Sequence, residues 1–255
     1  MKISIITVCF NSAKTIRCAV DSVLSQSYKN IEYIVIDGCS SDKTLEVLGE
    51  YGKNISTLVS ERDSGIYDAM NKGLALASGD VIGFLNSDDF YADSSVLEQV
   101  SNAFRDESVD VCYADLVYVS QDNSQIVRYW KSEPFVKGSF TFGWCPAHPT
   151  FYMRKSVVDK YGCFDKSLKI AADVELMMRY LEVYEVRSIY IPFVWVRMRI
   201  GGETNKSLGN IIRQNKEIFN AFEKNSIKFS KMLFVVRKIL NRTRQFVAGR
   251  LRKNS

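Results

Sequence analysis

Residues 61–89 decide the fold of this 255-residue chain, and they read ERDSGIYDAMNKGLALASGDVIGFLNSDD. Between Asp63 and Gly79, apolar residues recur at intervals of three and four, which is the spacing of one helix face. The apolar run 81–85 follows and is typical of a buried central strand. The stretch therefore predicts a helix from Asp63 or Ser64 to Gly79 that leads directly into a buried strand.

Two adjacent carboxylates, Asp88 and Asp89, come at the end of that apolar strand. Charges in such a position are costly unless a cation or a ligand uses them. In open α/β sheets this edge is also where ligands bind. The pair therefore indicates a binding site, whereas Asp37, which ends an earlier strand alone, by itself favours a plain turn or cap.

Predicted strands and helices alternate through the first half of the chain. Strands are predicted at 2–10, 31–36, 55–60, 81–85 and 109–114, and helices at 13–27, 42–50, 63–79 and from 95 onward. This order favours βαβ units and a parallel sheet. Residues 116–129 are β-branched and aromatic with no helix between them, which predicts antiparallel strands in the second half. Strands at 150–153 and 188–198 and helices at 155–161, 171–182 and 207–222 complete the prediction.

Charge is distributed unevenly along the chain. The formal charge is +5, yet residues 224–255 hold ten Lys or Arg and no acidic residue, so the preceding 223 residues carry 24 basic and 29 acidic side chains. One end of the molecule is therefore suited to a polyanionic surface. The six cysteines form no Cys-x-x-Cys pair, and the N-terminus lacks a signal-peptide pattern, so we expect free thiols and a cytoplasmic protein.

The basic tail also has the apolar spacing of an amphipathic helix from residue 229 onward. Its longest apolar run, residues 232–236, is far shorter than the roughly 20 residues that a membrane span requires. A basic amphipathic helix can instead lie on an anionic membrane. Packing on its own domain or on a second copy of the chain is the alternative.

Five motifs occur in one order, and together they resemble the inverting family 2 glycosyltransferases of bacteria, above all those that assemble exopolysaccharide and O-antigen units. They lie at 7–11, 37–44, 61–73, 86–89 and 172–173, and the resemblance covers about residues 1–205. It implies a GT-A fold, an α/β fold with a mixed sheet flanked by helices. The implied organisation is a nucleotide-binding half at 1–115, an acceptor half at 116–225 and a basic amphipathic tail at 226–255.

The resemblance also implies roles for individual residues. Phe10, Asn11 and Asp37 would hold the nucleobase and ribose of the donor. The central helix would close over the base and sugar through Asp63, Asp68, Asn71 and Lys72. Asn86 and Asp88 would face the donor, while Asp88 and Asp89 would bind a divalent cation, Mn²⁺ or Mg²⁺, on its diphosphate. Asp173 would be the catalytic base, and here it follows Ala172 where the family usually has glutamate.

The implied reaction transfers a hexosyl or N-acetylhexosaminyl group from a nucleotide-diphosphate sugar to a hydroxyl. The implied acceptor is a saccharide, carried on a polyprenyl diphosphate at the inner face of the cytoplasmic membrane, where the tail would hold the protein. A sugar nucleotidyltransferase is an alternative, but the Gly-rich phosphate loop expected after its first strand is absent. A nucleic-acid-binding protein acting through the tail is another, and the acidic body argues against it.

Several further residues allow two interpretations. His148, the only histidine, suits either acceptor contact or loop packing. Trp130 and Trp144 suit either the core or a sugar platform. Glu175 is expected to face solvent or to pair with Arg179. The segment 199–204 is either a mobile loop near the diphosphate or a turn.

Overall fold

A nine-stranded mixed sheet organises the chain in the computed structural model, which describes residues 1–201 and 208–252. The strands are β1 (Ile3–Cys9), β2 (Ile31–Asp37), β3 (Thr57–Ser60), β4 (Val81–Phe84), β5 (Phe90–Tyr91), β6 (Val111–Val119), β7 (Ile126–Trp130), β8 (Tyr152–Arg154) and β9 (Ser188–Arg199). Their order is β3-β2-β1-β4-β8-β6-β9-β5, with β7 beside β6.

Eight α-helices lie in the described ranges. They are α1 (Ile16–Leu24), α2 (Thr44–Gly49), α3 (Ile66–Leu76), α4 (Val96–Ala103), α5 (Lys155–Tyr161), α6 (Ala172–Met178), α7 (Leu208–Lys224) and α8 (Lys231–Arg252). The helix predicted at 171–182 is α6 followed by a π-helical turn, Arg179–Val183. None of the described helices has the length and hydrophobicity needed to cross a membrane.

The parallel part of the sheet is the predicted βαβ region. β1 pairs in parallel with β2 and β4, and β2 pairs in parallel with β3. Every residue of β1 and β4 is buried, as expected for strands covered by helices on both faces. The carboxyl ends of β1, β2 and β4 therefore meet at one edge, where the loops of the site begin.

The central helix α3 is shorter than predicted at its start because Gly65, with φ of 130°, breaks the helical path before Ile66. Gly73 lies against β1, and a Cβ at this position would collide with the Ile6 side chain. A glycine here lets the helix backbone approach the sheet closely. This contact fixes the helix that borders the site.

The second half of the sheet is mixed. β6 pairs antiparallel with β7 and β8 and parallel with β9. The predicted antiparallel strands are thus confirmed, although the strands expected on either side of residue 115 form one continuous strand, β6. Strand β9 also pairs with β5, which aligns Phe90 with Arg197 and brings the end of β9 to the turn that follows β4.

Candidate active site

One cavity of about 1540 Å³ is lined by residues from both halves of the chain, 1–115 and 116–245. Its walls come from the turns after β1 and β4, from α3 and α6, from the aromatic segment 128–149 and from α8. Of the eleven residues to which the family resemblance gives a role, six line the cavity, namely Phe10, Asn11, Asp63, Asn86, Asp88 and Asp173. Five others lie outside its lining, namely Asp37, Asp68, Asn71, Lys72 and Asp89.

The turn after β1 presents Phe10 and Asn11 to the cavity. The Phe10 side chain is 62% exposed, which leaves its ring available for contact with a planar group. Asn11 has φ of 50°. Its Oδ1 accepts hydrogen bonds from the backbone N–H groups of Ser41 (2.9 Å) and Asp42 (3.3 Å). The asparagine thus joins the loops that follow β1 and β2.

Asp37 is fully buried at the end of β2. Its Oδ2 accepts hydrogen bonds from the Ser40 backbone N–H (2.9 Å) and from the Ser60 hydroxyl (2.7 Å), and its Oδ1 accepts one from the Ser40 hydroxyl. The carboxylate therefore holds the loop after β2 in place next to Asn11.

Asp63 borders the cavity just before α3. Its Oδ1 accepts a hydrogen bond from the Gly65 backbone N–H (2.9 Å). Its Oδ2 lies 2.5 Å from where a Cβ on Gly38 would stand, so this glycine makes room for the carboxylate. The loop after β2 and the start of α3 thus fit together around one acidic side chain.

Asp68, Asn71 and Lys72 connect α3 to neighbouring segments. Asp68 accepts from the Ser64 backbone N–H (3.0 Å) and pairs with Lys166 (3.1 Å), contacts that lower its pKa to about 2. Asn71 donates to the Phe164 carbonyl (2.9 Å) and accepts from the Phe164 N–H (3.0 Å). Lys72 donates to the Arg62 carbonyl (2.6 Å) and pairs with Glu61 (2.8 Å).

The turn after β4 carries the predicted cation-binding carboxylates. Asp88 lines the cavity, and its backbone carbonyl accepts a hydrogen bond from Arg199 Nη1 (2.6 Å). Asp89 is fully buried, and burial together with the nearby charge of Asp88 holds its pKa well above the usual range. Asp89 Oδ2 accepts from Asn86 Nδ2 at 3.3 Å.

Two buried oxygen atoms in this turn, Asn86 Oδ1 and Asp89 Oδ1, have no hydrogen-bond partner. Unpaired buried acceptors are unusual and suit a site that a cation or ligand completes. Asn86 and Asp88 both line the cavity and offer the hard oxygen ligands that Mg²⁺ prefers. The residues present thus fit a divalent cation, although the described residues contain no group of three or more His, Cys, Asp or Glu arranged for a metal.

Asp173 lies in the first turn of α6 and lines the same cavity. Its Oδ1 accepts a hydrogen bond from the Tyr67 hydroxyl (3.0 Å). Burial, and then the charge of Asp173, raise the pKa of Tyr67 well above its usual value, so the phenol keeps its proton and acts as a donor. The Tyr67 ring stacks on Phe164 at 5.6 Å, which fixes the direction of that donor.

Glu217 of α7 is a residue that the sequence did not single out. Its carboxylate accepts hydrogen bonds from the backbone N–H groups of Lys169 (3.1 Å), Ile170 (2.9 Å) and Ala171 (3.0 Å). These groups precede α6, so Glu217 anchors the segment that leads into the helix that carries Asp173. Glu175 of α6 is buried and pairs with Arg179 at 2.9 Å, which agrees with one of its two interpretations.

The aromatic segment 128–149 supplies a wall of the cavity from the second half of the chain. His148 stacks on Phe84 at 5.8 Å, and burial lowers its pKa, so the imidazole is neutral. Its Nε2 is buried without a hydrogen-bond partner. Trp130 stacks on Tyr118 at 6.4 Å, and Trp144 meets Phe140 edge-on at 5.4 Å. All three residues both pack in the wall and line the cavity.

Helix α8 closes the acceptor side, against β7 and the turn Ser139–Phe142. The residues that it contributes to the lining include Phe234, Lys238, Asn241, Arg242 and Gln245. Lys238 donates to Asn215 Oδ1 (2.7 Å) and Gln214 Oε1 (3.2 Å) of α7. Packing on the chain's own domain is thus observed for the tail. Of the segment 199–204, residues 202–204 lie outside the described residues.

Residues 4–165 match the family model described as Glycosyl transferase family 2. The chain belongs to this family. Its relatives include an uncharacterized glycosyltransferase of Mycobacterium tuberculosis, which is 34% identical over 186 residues, or 72% of this chain and 70% of the relative. The resemblance seen in the sequence motifs is thereby confirmed.

Solved structures of similar fold include a mannosyltransferase and a protein named TarS. TarS from S. aureus, in complex with UDP-GlcNAc, has a TM-score of 0.66 at 22% identity over 86% of this chain and 67% of its own. The mannosyltransferase PcManGT from Pyrobaculum calidifontis, in complex with GDP-Man and Mn²⁺, has a TM-score of 0.65 at 18% identity over 88% of this chain and 63% of its own. These similarities confirm the predicted GT-A fold of this family 2 member.

Proposed function

We propose that the chain transfers a sugar from a nucleotide-diphosphate donor to an acceptor hydroxyl in a single inverting displacement, with Asp173 as the catalytic base. The observation that carries this proposal is that Asp173 and the Asp88 turn, from opposite halves of the chain, line one cavity. A donor held at the Asp88 turn and an acceptor beside Asp173 would therefore meet within one enclosed space.

The donor would lie on the nucleotide-binding half. Phe10 offers an exposed ring for the base, and Asn11 and Asp63 border the same part of the cavity. Asp37, Asp68, Asn71 and Lys72 would support this region through the loops and the helix that they hold. The complexes of the two similar structures with UDP-GlcNAc and with GDP-Man support a sugar nucleotide as donor, with either a hexosyl or an N-acetylhexosaminyl group.

A divalent cation, Mn²⁺ or Mg²⁺, would be held by Asp88 with Asn86, and Asp89 would support the turn from behind. Bound there with the donor phosphates, the cation would stabilise the negative charge that develops on the departing diphosphate. The Mn²⁺ in the mannosyltransferase complex supports this assignment. Arg199, by donating to the Asp88 carbonyl, would keep the turn in the position that presents the Asp88 carboxylate.

Asp173 would take the proton of the acceptor hydroxyl as that oxygen attacks the anomeric carbon. The new glycosidic bond forms while the bond to the diphosphate oxygen breaks, and the electron pair of that bond leaves with the diphosphate. A well-placed general base contributes about 10²- to 10⁴-fold to such a step. Tyr67, by donating to Oδ1, would orient the carboxylate so that its other oxygen is available to the acceptor.

The acceptor would be a saccharide on a lipid carrier, reached at the inner face of the cytoplasmic membrane. Among the α8 side chains whose exposure the structure describes, residues 231–245, six apolar ones are exposed, and Met232 (78%), Ile239 (59%) and Leu240 (52%) are the most exposed of them. Basic residues flank them, including Lys231 and Arg244. An apolar helix face with cations beside it fits the surface of an anionic bilayer.

One assay tests the proposed activity without knowledge of the acceptor. The protein is incubated with a panel of sugar nucleotides, with and without Mn²⁺, and slow release of free nucleoside diphosphate is measured. Release from one donor, dependent on the cation, is the expected result. Release of pyrophosphate instead would indicate a nucleotidyltransferase, and the absence of hydrolysis across the panel would contradict the proposed function.

Membrane binding has its own test. The full chain should sediment with liposomes that contain phosphatidylglycerol, and a variant that ends at residue 225 should stay in the supernatant. Sedimentation of the shortened variant with the liposomes would exclude the membrane role of α8. Failure of the full chain to sediment, together with dimer formation in solution, would assign the apolar face to a second copy of the chain instead.

A further inference from the structure

Helix α8 buries Phe234 near its start, and from residue 238 onward the side chains that it turns inward are polar. Lys238, Asn241, Arg242 and Gln245, at intervals of three and four, share one face and line the cavity. The opposite face carries the exposed apolar residues, among them Met232, Val236 and Ile239. Amphipathic helices usually bury the apolar face and expose the polar one. The inverted orientation calls for a reason that lies inside the cavity.

The cavity wall on the acceptor half is strongly cationic. Of the described residues from 116 onward that line it, eight are Lys or Arg and two are acidic. The basic residues are Arg128, Lys131, Lys137, Lys169, Arg237, Lys238, Arg242 and Arg244, and the acidic ones are Glu133 and Asp173. Such an excess of one charge in a concave site attracts a ligand of the opposite charge.

Three of these cations are grouped between β7 and α8. Arg128 is 6% exposed, lies 4.6 Å from the Tyr118 ring centroid, and donates from Nε to Gln245 Oε1 (2.7 Å). Lys238 donates to two neutral amides of α7. Burial, and then repulsion from Arg242, lower the pKa of Lys238 to about 8. Burial is the main cause that lowers the pKa of Arg128, and the charge of Arg242 lowers it further. Mutual repulsion of this kind is relieved when an anion binds among the cations.

We propose that Lys238, Arg242 and Arg128 form a subsite that binds a phosphate group of the acceptor. The proposal rests on the proposed function and specifies its substrate class, an acceptor whose phosphate lies close to the hydroxyl that is glycosylated. Asp173 and Lys238 line the same cavity, which places the phosphate and the attacking hydroxyl in one space. The donor diphosphate has a separate place at the Asp88 turn.

A binding experiment tests this subsite separately from catalysis. Trp130 and Trp144 line the cavity, so quenching of tryptophan fluorescence should report a ligand. The probes are glycerol 1-phosphate and farnesyl phosphate, each titrated into the free protein and into the protein saturated with the nucleoside diphosphate found in the donor assay. Lys238→Met and Arg242→Met should each weaken binding of both probes about 10-fold or more, because each removes a charge-assisted hydrogen bond.

Lys231→Met is the matched control, since Lys231 belongs to the same helix but pairs with Glu223 (3.5 Å) outside the cavity lining. It should bind the probes as the wild type does, and Lys238→Arg should restore binding. Equal affinity of Lys238→Met, Arg242→Met and wild type would overturn the proposal, as would loss of probe binding when the nucleoside diphosphate is present. A thermal melt of each variant separates lost binding from lost folding.

The two probes distinguish the source of the phosphate. Farnesyl phosphate that binds at least about 10-fold more tightly than glycerol 1-phosphate would indicate a lipid-borne phosphate, and equal affinities would indicate one on a soluble or saccharide acceptor. In the donor assay, the control Lys231→Met, which lies outside the cavity lining, should hydrolyse the sugar nucleotide at the wild-type rate. If the wild type hydrolyses the donor but Lys238→Met and Arg242→Met bind the probes as tightly as the wild type, only the subsite is refuted. The absence of donor hydrolysis in the wild type would refute the proposed function.

Discussion

The substitution Glu217→Gln tests whether the anchored segment before α6 controls the position of Asp173. The carboxylate accepts hydrogen bonds from three consecutive backbone N–H groups, and a glutamine keeps only one acceptor oxygen and loses the charge. A hydrogen bond to a charged group contributes about 1.5–3 kcal/mol. Loss of one such bond should lower the free energy of unfolding by about 2 kcal/mol and, in a chain of this size, Tm by about 4–8 °C.

The effect of Glu217→Gln on catalysis should exceed its effect on stability. Asp173 lies two residues beyond the segment that Glu217 anchors, and a displacement of about 1 Å of a catalytic group can cost about 10²-fold in rate. We therefore expect kcat for donor turnover to fall about 10- to 100-fold at a temperature where the variant is fully folded, with KM for the donor unchanged.

Two further variants complete this test. Glu217→Asp keeps the charge and should recover part of kcat. Glu223→Gln, on the same helix and 61% exposed in its ion pair with Lys231, should leave both kcat and Tm near wild-type values. A Glu217→Gln protein with normal kcat would refute the positioning role, and a fall in kcat that merely followed the unfolded fraction would refute it equally.

Four further outcomes are expected. Asp173→Asn should lower turnover about 10²- to 10⁴-fold, while equilibrium dialysis shows unchanged donor binding. Asp88→Asn should weaken Mn²⁺-dependent donor binding about 10-fold or more and leave cation-independent binding unchanged in the same assay. Asn71→Ala removes both hydrogen bonds to Phe164 and should lower the free energy of unfolding by about 1–3 kcal/mol in urea titrations. Affinity for glycerol 1-phosphate should fall as the pH rises above about 8, where Lys238 loses its proton, and should not do so in Lys238→Met. Burial raises the pKa of the neighbouring Cys145 thiol well above its usual value, so this thiol does not titrate in the same range.

Hydrophobic periodicity predicted much of the fold because local burial dominates in those segments. β1, α3 and β4 lie close to their predicted positions, since continuous apolar runs and stripes of three and four residues are local properties of the chain. The antiparallel region after residue 115 was also visible, because β-branched and aromatic residues continued there without helical spacing. The start of α3 was less accurate, because the positive φ of Gly65 depends on the turn built by Asp63.

The direction in which a side chain points was much less predictable from the sequence. Asp88 and Asp89 are neighbours, yet one lines the cavity and the other is buried behind it, because they lie in a turn closed by the Asp89 N–H donating to the Asn86 carbonyl (3.1 Å), where no strand or helix periodicity applies. Glu217 is 44 residues from Asp173 in the sequence, so no local pattern connects the two. The amphipathic pattern of the tail predicted a helix with two faces but not which of them would face the domain.

The orientation of α8 couples two properties of the protein, because one helix carries both the exposed apolar face and the cations of the cavity. The exposed apolar face of α8 and the face that carries Lys238 and Arg242 lie on opposite sides of the helix. Rotation of the helix that buried the apolar face against the domain would therefore withdraw both cations from the cavity. Any environment that buries the exposed apolar face therefore also keeps Lys238 and Arg242 in the cavity.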